Sequence, residues 1–516
     1  MPDILAMHAE SRADTPAVLV DPAGGARPSA TTFGELNALV NRAAHAFASL
    51  GVQPGDRIVW CGPNSLEVLV TIHAARKASL TAVPLSYRFN AEEMAYVIGN
   101  SDATLVVIDA EQAPALVEVS HHLTKVQAVV VFGGAVPPGF HGWDDLLADA
   151  SDGEPVVAAP ETAGASMIYT SGTTGRPKGA LRTTADPETV FALLGQLALR
   201  PGEEVHLTTG PLYHSGPLAW ASLNHTLGCP IIVLRKFDPS AWLRLVREHR
   251  VTNTFSAPTQ LKRIVSLPPG ELARADVSSM HSLVANAAPV PYALKQEVIE
   301  KLGDGFLFEV YGSTELGVVT VLHPEDQLRK PGSCGQPYGN IEVRIVRDDG
   351  TDAAVGDAGE LFIRTGLAMD GYHRTEEQLS EIEHGDWKSV GDVAYVDDEG
   401  FVFICDRKKD MIISGGVNIY PAEIEAVLYE HPQILDVAVF GVPDDEWGER
   451  VYAVVQPKVD TTIDLEELRG FASARLASYK NPREYEVRDS LPRTEAGKLL
   501  KRILRDEHWV GRDRAV

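Results

Sequence analysis

The sequence predicts an α/β protein with a large N-terminal domain, in which mixed sheets and helices form several layers, followed by a small α+β domain. The chain has 516 residues, of which 44% are hydrophobic and 23% charged, as expected for a globular protein of more than one domain. Amphipathic helical stretches alternate with short β-branched runs over residues 35–110. A charged cluster followed by two glycines at 406–416 is typical of a solvated joint between domains.

The N-terminal part begins with clear helix and strand patterns. A helix is predicted over Glu35–Leu50, ended by Gly51, and a strand over Arg57–Cys61. Further strand candidates, most of them bounded by turn or charged residues, are Thr104–Ile108, Ala128–Phe132 and Ile231–Leu234. No short repeat is visible. We therefore expect one large α/β domain over residues 1–406, partly built from two similar halves.

The smaller α+β domain is expected over residues 407–516. A helix is predicted to start at Pro421 and to end before Pro432. Proline suits the first position of a helix because the backbone N–H there has no partner within the helix. Two strand candidates follow, Asp436–Val442 and Val451–Gln456, and Asp464 then opens a second helix. This order of elements is sufficient for a small domain.

The balance of charge limits the partners of the protein. The chain carries 71 acidic and 46 basic residues, for a net charge of −25, so neither nucleic acid nor an anionic membrane surface is expected as the main partner. A polyanionic substrate must then be held by local cations and a metal. The N-terminus carries acidic residues early, and no segment approaches about eighteen consecutive apolar residues, so neither a signal peptide nor a membrane span is predicted.

The cysteines are widely scattered and form no Cys-x-x-Cys pair. They are Cys61, Cys229, Cys334 and Cys405. Such spacing favours neither a disulfide framework nor a zinc site. A reducing compartment, the cytoplasm, is therefore expected.

The run from Tyr169 to Gly179, YTSGTTGRPKG, combines four Ser/Thr hydroxyls, three glycines and two cations. Glycines let successive backbone N–H groups point at an anion, and the hydroxyls and cations add further donors and charge. The run is not the P-loop of kinases and GTPases, because Pro177 stands where that pattern needs Gly-Lys-Ser/Thr. The pattern indicates a phosphate-binding loop, and the alternative is an ordinary surface turn.

This run resembles the phosphate-binding motif of the adenylate-forming superfamily, which includes acyl-CoA synthetases, aryl-CoA ligases, adenylation domains of peptide synthetases and luciferases. Further motifs follow in the order found in that family. The resemblance implies that the loop holds the β- and γ-phosphates of ATP. The residues assigned to this role are Thr170, Ser171, Gly172, Thr173, Thr174, Gly175 and Lys178.

The segment Glu309–Gly317, EVYGSTELG, follows an apolar run and is expected where a strand ends and a binding loop begins. It resembles the family's adenine and metal motif. That resemblance implies that Tyr311 stacks on the base, Thr314 meets the α-phosphate and Glu315 binds Mg²⁺, a metal that prefers carboxylate oxygen. Gly312 and Ser313 are assigned to nucleotide binding with them. By itself the motif also fits a solvated turn.

Three charged residues further along the chain complete the expected nucleotide site. Asp392 resembles the aspartate that accepts both ribose hydroxyls, a role that suits an acceptor-only carboxylate, and Arg407 resembles the arginine that reaches ribose and phosphate. Taken singly, each is more often a surface charge. Lys498 resembles the lysine that bridges the carboxylate and α-phosphate oxygens during adenylation and stabilises the developing charge. The neighbouring Lys501 and Arg502 are interpreted as a solvated helix end.

Two segments are expected at the acid. Pro211–Trp220, PLYHSGPLAW, resembles the motif that gates the acyl pocket, with His214 beside the reacting carboxylate; the alternative for His214 is a hydrogen-bonded core residue. Peptide-synthetase adenylation domains carry an aspartate there, and none is present, so an acid without an amino group fits better. In ANAAP (285–289), Asn286 replaces the glycine of many relatives. Asn286, assigned with Ala287 to the nucleotide, either bonds the adenine edge, or reshapes the head of the acyl pocket, or is a tolerated turn asparagine.

The resemblance covers nearly the whole chain and implies an acid–thiol ligase, with ATP, Mg²⁺ and coenzyme A taking part. The C-terminal domain is then mobile and rotates about a hinge near Lys409 between the two half-reactions, with Gly415 and Gly416 lining the pantetheine tunnel. Small and apolar residues between His214 and Gly228 suggest a hydrophobic acid: a medium or long fatty acid, or a bulky ring or aryl acid. A homodimer is common among relatives.

Two alternatives remain for the function. A stand-alone adenylating enzyme would load a carrier protein instead of coenzyme A. A non-catalytic nucleotide-binding regulator would bind ATP without releasing pyrophosphate, and Lys498 and Glu315 argue against it.

Overall fold

The computed structural model describes residues 3–21, 29–157, 165–170, 177–374, 382–494 and 499–510. The α-helices of these ranges are α1 (Ile4–Ser11), α2 (Phe33–Ser49), α3 (Leu66–Lys77), α4 (Ala91–Asn100), α5 (Ala113–Val119), α6 (Trp143–Ala148), α7 (Pro187–Gln196), α8 (Ser215–Thr226), α9 (Pro239–His249), α10 (Pro258–Val265), α11 (Pro269–Leu272), α12 (Tyr292–Leu302), α13 (Pro421–Tyr429), α14 (Leu465–Ser473) and α15 (Lys501–Asp506). Short 3₁₀ helices span Ser120–His122, Pro324–Asp326 and Ser478–Lys480.

The strands up to the end of the second large sheet are β1 (Pro16–Asp21), β2 (Ser29–Thr32), β3 (Arg57–Cys61), β4 (Thr81–Leu85), β5 (Leu105–Asp109), β6 (Ala128–Phe132), β7 (His141–Gly142), β8 (Ser166–Thr170), β9 (Lys178–Arg182), β10 (His206–Thr208), β11 (Ile231–Leu234), β12 (Asn253–Ser256), β13 (Ser282–Ala285), β14 (Leu307–Ser313), β15 (Gly317–Leu322), β16 (Gln336–Pro337), β17 (Glu342–Val346), β18 (Gly359–Arg364) and β19 (Gly371–Tyr372). They are followed by β20 (Glu383–His384), β21 (Trp387–Lys388), β22 (Asp392–Val396), β23 (Val402–Arg407), β24 (Ile412–Ser414), β25 (Val417–Ile419), β26 (Ile434–Asp444), β27 (Gly448–Pro457) and β28 (Glu484–Val487).

Two large sheets form the centre of the protein. Sheet A has the order β16-β15-β14-β13-β12-β10-β11-β1-β2, and sheet B has the order β19-β9-β8-β4-β3-β5-β6-β7. Most neighbours within each are parallel, from β1 and β11 across to β13 and β14 in sheet A and from β8 and β4 to β7 in sheet B. Strands such as β5 and β6 are buried along their whole length, as expected for parallel strands covered by helices on both faces.

Two smaller sheets follow. Sheet C has the order β20-β21-β18-β22-β23, with β17 beside β18, and sheet D has the order β25-β24-β27-β26, with β28 beside β27. A separate hydrophobic cluster lies between sheet D and helices α13 and α14, around Ile424, Leu428, Val439 and Leu468. The observed mixture of layered α/β units and a smaller α+β unit confirms the predicted fold class. The division at residue 407 stays a prediction.

Most element predictions agree with the structure to within a few residues. Strands β3, β6 and β11 have the predicted bounds, β5 is displaced by one residue, and α2 begins two residues earlier than predicted. That early start has a physical cause, because Thr32 and Glu35 form a capping box at the N-terminus of α2. Strands β26 and β27 are longer than predicted because they pair with each other from Ile434 to Asp444.

Candidate active site

The predicted adenine and metal motif lies in a β-hairpin. As expected, a strand ends within this segment, since β14 ends at Ser313. The loop that follows is only the tight turn 314–316, and β15 then pairs antiparallel with β14 and supplies hydrogen bonds to the motif. A Cβ on Gly312 would overlap the carbonyl oxygen of Gly317, so only glycine allows this close approach of the two strands.

Glu315, at the tip of the hairpin, is in contact with sheet B. Its Oε1 accepts hydrogen bonds from Thr170 Oγ1 at 3.2 Å and from the Tyr372 hydroxyl at 3.0 Å. Lys178 Nζ lies 5.3 Å from the centroid of the Tyr372 ring. Of the two described ends of the predicted phosphate loop, Thr170 therefore contacts the predicted metal ligand, and Lys178 lies beside Tyr372, which contacts it too.

Thr314 is held from two sides. Its Oγ1 lies 3.0 Å from Ser215 Oγ at the start of α8, and its carbonyl oxygen accepts a hydrogen bond of 2.8 Å from Arg182 Nη2. Burial lowers the pKa of Arg182, while Asp370 and Glu315 act in the opposite direction. A guanidinium group is thus held next to the residues assigned to the α-phosphate and to the metal.

Sequence reasoning missed Arg182, Ser215 and Tyr372. A signal for Arg182 was present, because alternate residues of a strand share a face, and Lys178 and Arg182 are both on the same face of β9. Tyr372 follows a glycine in a two-residue strand beside β9. No spacing in the sequence relates it to Glu315.

The predicted ribose-binding residues meet at the edge of sheet C. The Tyr311 hydroxyl donates to Asp392 Oδ2 at 2.5 Å, and Arg407 Nε donates to Asp392 Oδ1 at 3.1 Å. Burial, followed by the Asp392 carboxylate, raises the pKa of Tyr311 well above its usual value. Burial opposes the charge of Arg407, but Asp392 and other acidic groups outweigh it and raise the pKa of Arg407.

His214 occupies the N-cap position of α8, next to Ser215. Its Nε2 is sealed from solvent and has no hydrogen-bond partner among the described residues. Burial lowers its pKa to about 4. The imidazole is therefore neutral at pH 7 and offers a hydrogen-bonding nitrogen without charge.

Asn286 fixes the end of β13 against β14. Its Nδ2 donates to the carbonyl oxygen of Val310 at 2.6 Å, and its Oδ1 accepts from the N–H of Ala287. Ala287 has a φ of 77°, in the region that favours glycine. Both groups of the Asn286 amide are therefore used by the backbone in this structure.

Lys409 lies in the segment that joins sheet C to sheet D, whereas Gly415 and Gly416 lie within sheet D. Lys409 is exposed, between β23 and β24. Gly415 and Gly416 connect β24 to β25 with φ values of 59° and 80°, and the Gly415 N–H donates to the carbonyl oxygen of Trp447 at 2.8 Å. Their roles in the reaction stay predictions.

Several predicted site residues lie outside the described residues. They are Ser171, Gly172, Thr173, Thr174, Gly175 and Lys498.

Two expectations near the C-terminus were wrong. Lys501 is not solvated: its side chain is 16% exposed, and its Nζ lies 2.8 Å from Glu425. Burial opposes its charge, but Glu425 and Asp406 raise the pKa of Lys501. The joint before β24 is not wholly solvated either, because Asp406 is buried and its Oδ2 accepts a hydrogen bond of 2.9 Å from the N–H of Ala422. Packing of α13 and α15 against this segment explains both differences.

Comparison with known proteins identifies the family. The model of the AMP-binding enzyme family matches residues 5–373, and that of the AMP-binding enzyme C-terminal domain matches residues 423–498. The chain belongs to the AMP-binding enzyme family. The predicted adenylate-forming superfamily is thereby confirmed, and with it the class of enzyme, an acid–thiol ligase that uses ATP.

Two relatives and one solved structure show how far the similarity extends. A feruloyl-CoA synthase of Amycolatopsis sp is 36% identical over 481 residues, 92% of this chain and 93% of that protein. The fatty acid–[acyl-carrier-protein] ligase ScoC of Streptomyces coeruleorubidus is 31% identical over 520 residues, 99% of this chain and 96% of that protein. The crystal structure of ATP-bound MatB from Rhodopseudomonas palustris superposes with a TM-score of 0.86 at 28% identity and covers 98% of both chains.

Among the described residues, no helix combines the length and the apolar composition that crossing a bilayer requires.

Proposed function

We propose that the chain is an ATP-dependent carboxylic acid–coenzyme A ligase that acts on a hydrophobic acid through an acyl-AMP intermediate. The carboxylate attacks the α-phosphorus of ATP, the bond from that phosphorus to the pyrophosphate oxygen breaks, and acyl-AMP forms. The sulfur of coenzyme A then attacks the acyl carbon, the thiol proton is lost, and AMP leaves. Similarity to a feruloyl-CoA synthase and to a fatty acid ligase supports an acid of aryl or fatty type.

The observation that carries this proposal is the convergence of three sheets. Sheet A contributes Thr314 and Glu315, sheet B contributes Thr170, and sheet C contributes Asp392 and Arg407. Residues assigned to phosphate, metal and ribose from distant parts of the sequence are linked by hydrogen bonds through Thr170 to Glu315 and through Tyr311 to Asp392. α/β proteins bind nucleotides at the ends of their strands, where such residues converge.

Each group has a role that its surroundings support. Asp392, held by Tyr311 and Arg407, would accept the ribose hydroxyls. Thr314, held by Arg182 and Ser215, would bind the α-phosphate. The neutral His214 would orient the reacting carboxylate without forming an ion pair that competes with attack on phosphorus.

The residues present fit a magnesium ion at Glu315. One carboxylate is what Mg²⁺ commonly takes from a protein when phosphate and water supply its other ligands. Glu315 Oε2 makes no hydrogen bond to a described residue, while Oε1 is fixed by Thr170 and Tyr372. When bound, the metal would neutralise charge on the phosphates.

The second half-reaction is proposed to follow rotation of the C-terminal domain about Lys409, which would withdraw Lys498 and bring Gly415 and Gly416 to the thiol. Domain rotations of this kind usually take microseconds to milliseconds. A cytoplasmic location and a homodimer also stay predictions.

One observation favours a second candidate function. ScoC, which matches 99% of this chain, is named as a ligase of fatty acid to an acyl carrier protein. The acceptor of this protein would then be the phosphopantetheine thiol of a carrier protein instead of coenzyme A.

The proposed function is tested by incubating the purified protein with ATP, MgCl₂ and a panel of carboxylic acids. Acid-dependent release of pyrophosphate is expected, followed on addition of coenzyme A by an acyl-CoA that mass spectrometry identifies. Product formed only with a phosphopantetheinylated carrier protein would favour the second candidate. Binding of ATP without pyrophosphate release for any acid would contradict both and favour a regulator.

A further inference from the structure

The C-terminal half of helix α4 contacts both ends of the predicted phosphate loop. Tyr96 and Asn100 are four residues apart in α4 and therefore lie on one face of the helix. Asn100 Oδ1 accepts a hydrogen bond of 2.6 Å from the Tyr169 hydroxyl, and the Tyr96 hydroxyl donates to the carbonyl oxygen of Pro177 at 3.1 Å. One face of α4 therefore holds the chain where β8 ends and where β9 begins.

A further contact is made just beyond the C-terminus of α4. Asp102 accepts hydrogen bonds from Arg374 Nη2 at 2.7 Å to Oδ1 and at 2.6 Å to Oδ2, and Lys125 Nζ lies 2.6 Å from its Oδ1. Burial opposes the charge of Asp102, but Lys125 and Arg374 outweigh it and lower the pKa of Asp102. Arg374 follows Tyr372 of β19 by two residues. The same end of α4 is therefore tied to the segment that carries Tyr372.

Helix α4 is a rigid support for these contacts. Its N-terminus is closed by a capping box. Its inner face consists of Met94, Val97 and Ile98, which are 1% exposed and pack in one hydrophobic cluster with Met167 of β8. The polar contacts of the helix are thus held at a fixed position on sheet B.

Each contact of α4 lies close in sequence to a residue of the cluster around Glu315. The contacted residues and their neighbours in the cluster are Tyr169 with Thr170, Pro177 with Lys178, and Arg374 with Tyr372. Thr170 and Tyr372 donate to Glu315, and Lys178 lies beside the Tyr372 ring. A misplacement of about 1 Å can lower the rate of a reaction between oriented groups by about 100-fold. Supports directly beside these groups therefore bear on how the phosphates are held.

We infer that Tyr96 and Asn100 are positioning residues for the phosphates of ATP, because they fix both ends of the predicted phosphate loop to helix α4. The inference rests on the proposed function, since it takes the cluster around Glu315 as the site of the phosphates. The effect is expected on ATP and not on the acid, because His214 lies at the start of α8, outside the segments that α4 anchors.

The first experiment separates KM for ATP from KM for the best acid of the panel above. Tyr169→Phe removes only the hydroxyl, and Asn100→Leu removes its acceptor at similar size. Each variant is expected to raise KM for ATP by about three- to tenfold, the equivalent of one neutral hydrogen bond, and to leave KM for the acid unchanged. Tyr96→Phe is expected to act in the same way at the other end of the loop. An unchanged KM for ATP in all three variants would overturn the inference.

A double variant and a conservative variant test whether the Asn100–Tyr169 bond itself is responsible. Because both single changes remove the same hydrogen bond, Asn100→Leu with Tyr169→Phe is expected to raise KM for ATP no more than either change alone. Asn100→Asp keeps an acceptor oxygen and is expected to recover part of the wild-type KM. Fully additive effects, or no recovery in Asn100→Asp, would contradict positioning through this bond.

A matched control distinguishes positioning from a general loss of stability. The Tyr452 hydroxyl also donates to a side-chain oxygen, that of Glu486 at 3.1 Å, but in sheet D. Tyr452→Phe is expected to keep the wild-type KM for ATP, and urea unfolding measures the stability of every variant. An equal rise of KM for ATP in Tyr452→Phe would refute the inference and leave the proposed ligase intact. A wild-type protein that releases no pyrophosphate with any acid would instead contradict the proposed function.

Discussion

At the scale of single residues, Arg182 is the least expected part of the site. Its guanidinium group donates to the carbonyl oxygen of Thr314 and lies close to the charge of Glu315. Hydrogen bonds to charged groups are worth about 1.5–3 kcal/mol. Arg182 thus acts as a positioning residue, since it fixes the peptide between the two residues assigned to the α-phosphate and the metal.

Arg182→Met is expected to lower kcat/KM for ATP by roughly 10- to 100-fold, the equivalent of one such hydrogen bond. Arg182→Lys keeps the charge and is expected to recover part of that loss. Steady-state kinetics with ATP as the varied substrate would measure both. The exposed Arg364 belongs to a pair with Glu342 on sheet C, and Arg364→Met serves as the control. A loss of the same size in Arg364→Met would argue against a local role for Arg182.

His214 predicts a dependence of stability on pH. Burial lowers its pKa to about 4, below the usual value of about 6.5 for an unfolded chain. As the pH falls from about 6.5 to 4, the unfolded chain binds a proton that the folded protein does not, so the free energy of unfolding decreases. The full contribution is present above pH 6.5.

His214→Gln removes this contribution. As the pH falls from about 7.5 to about 5, the free energy of unfolding of the variant is expected to decrease by about 2 kcal/mol less than that of the wild type. Urea unfolding at the two pH values measures the difference. His121 is exposed, and His121→Gln should follow the wild-type dependence. A wild-type-like dependence in His214→Gln would show that the depressed pKa is not realised in solution.

At the scale of elements, the β14–β15 hairpin determines where the nucleotide motif lies. Its two strands approach so closely at Gly312 that a side chain there would overlap the backbone at Gly317. The glycine is visible in the sequence, but the sequence pattern did not indicate that the next segment pairs with β14. The motif was therefore recognised correctly while its pairing in a hairpin was not.

Gly312→Ala is expected to destabilise the protein by at least about 2 kcal/mol, because overpacking against backbone has no flexible neighbour to yield, and to weaken binding of ATP. Denaturant unfolding and nucleotide titration measure the two effects. Gly99 provides the matched control: it lies in α4 with no atom within 4 Å of an added Cβ. Gly99→Ala is expected to stabilise by up to about 1 kcal/mol. Gly312→Ala with full stability and ATP affinity would contradict the close approach.

At the scale of the whole molecule, the site is assembled from sheets A, B and C, and the proposed chemistry also requires a lysine near the C-terminus. Lys498 stands three residues before Lys501, whose ion pair with Glu425 ties α15 to α13. In the sequence, Lys498 therefore comes shortly before an anchored helix. This order suits a group that moves with its domain.

Lys498→Ala is expected to lower acyl-AMP formation by about 100-fold or more, because a cation at the developing charge is lost, and to leave thioester formation from supplied acyl-AMP largely intact. Quenched assays of the two half-reactions separate these effects. Arg502 is 57% exposed and paired with Asp506, so it offers a control. Arg502→Ala should retain the rates of both half-reactions. Equal loss of both half-reactions in Lys498→Ala would refute its assigned role.

The sequence by itself determined the class of fold, most elements of the parallel sheets and the order of the motifs. It could do so because periodicity, glycine and proline positions and motif composition are local properties of the chain. The bounds of strands β6 and β11 could be predicted correctly for this reason.

Only the tertiary structure decided which groups meet. Tyr372 reaches Glu315 across 57 residues, Arg182 reaches Thr314 across 132, and Lys501 forms an ion pair with Glu425. The anchoring of Tyr169 by Asn100 also depends on the packing of distant segments. Such contacts are set by the way sheets and helices pack, and no local pattern in the chain encodes them.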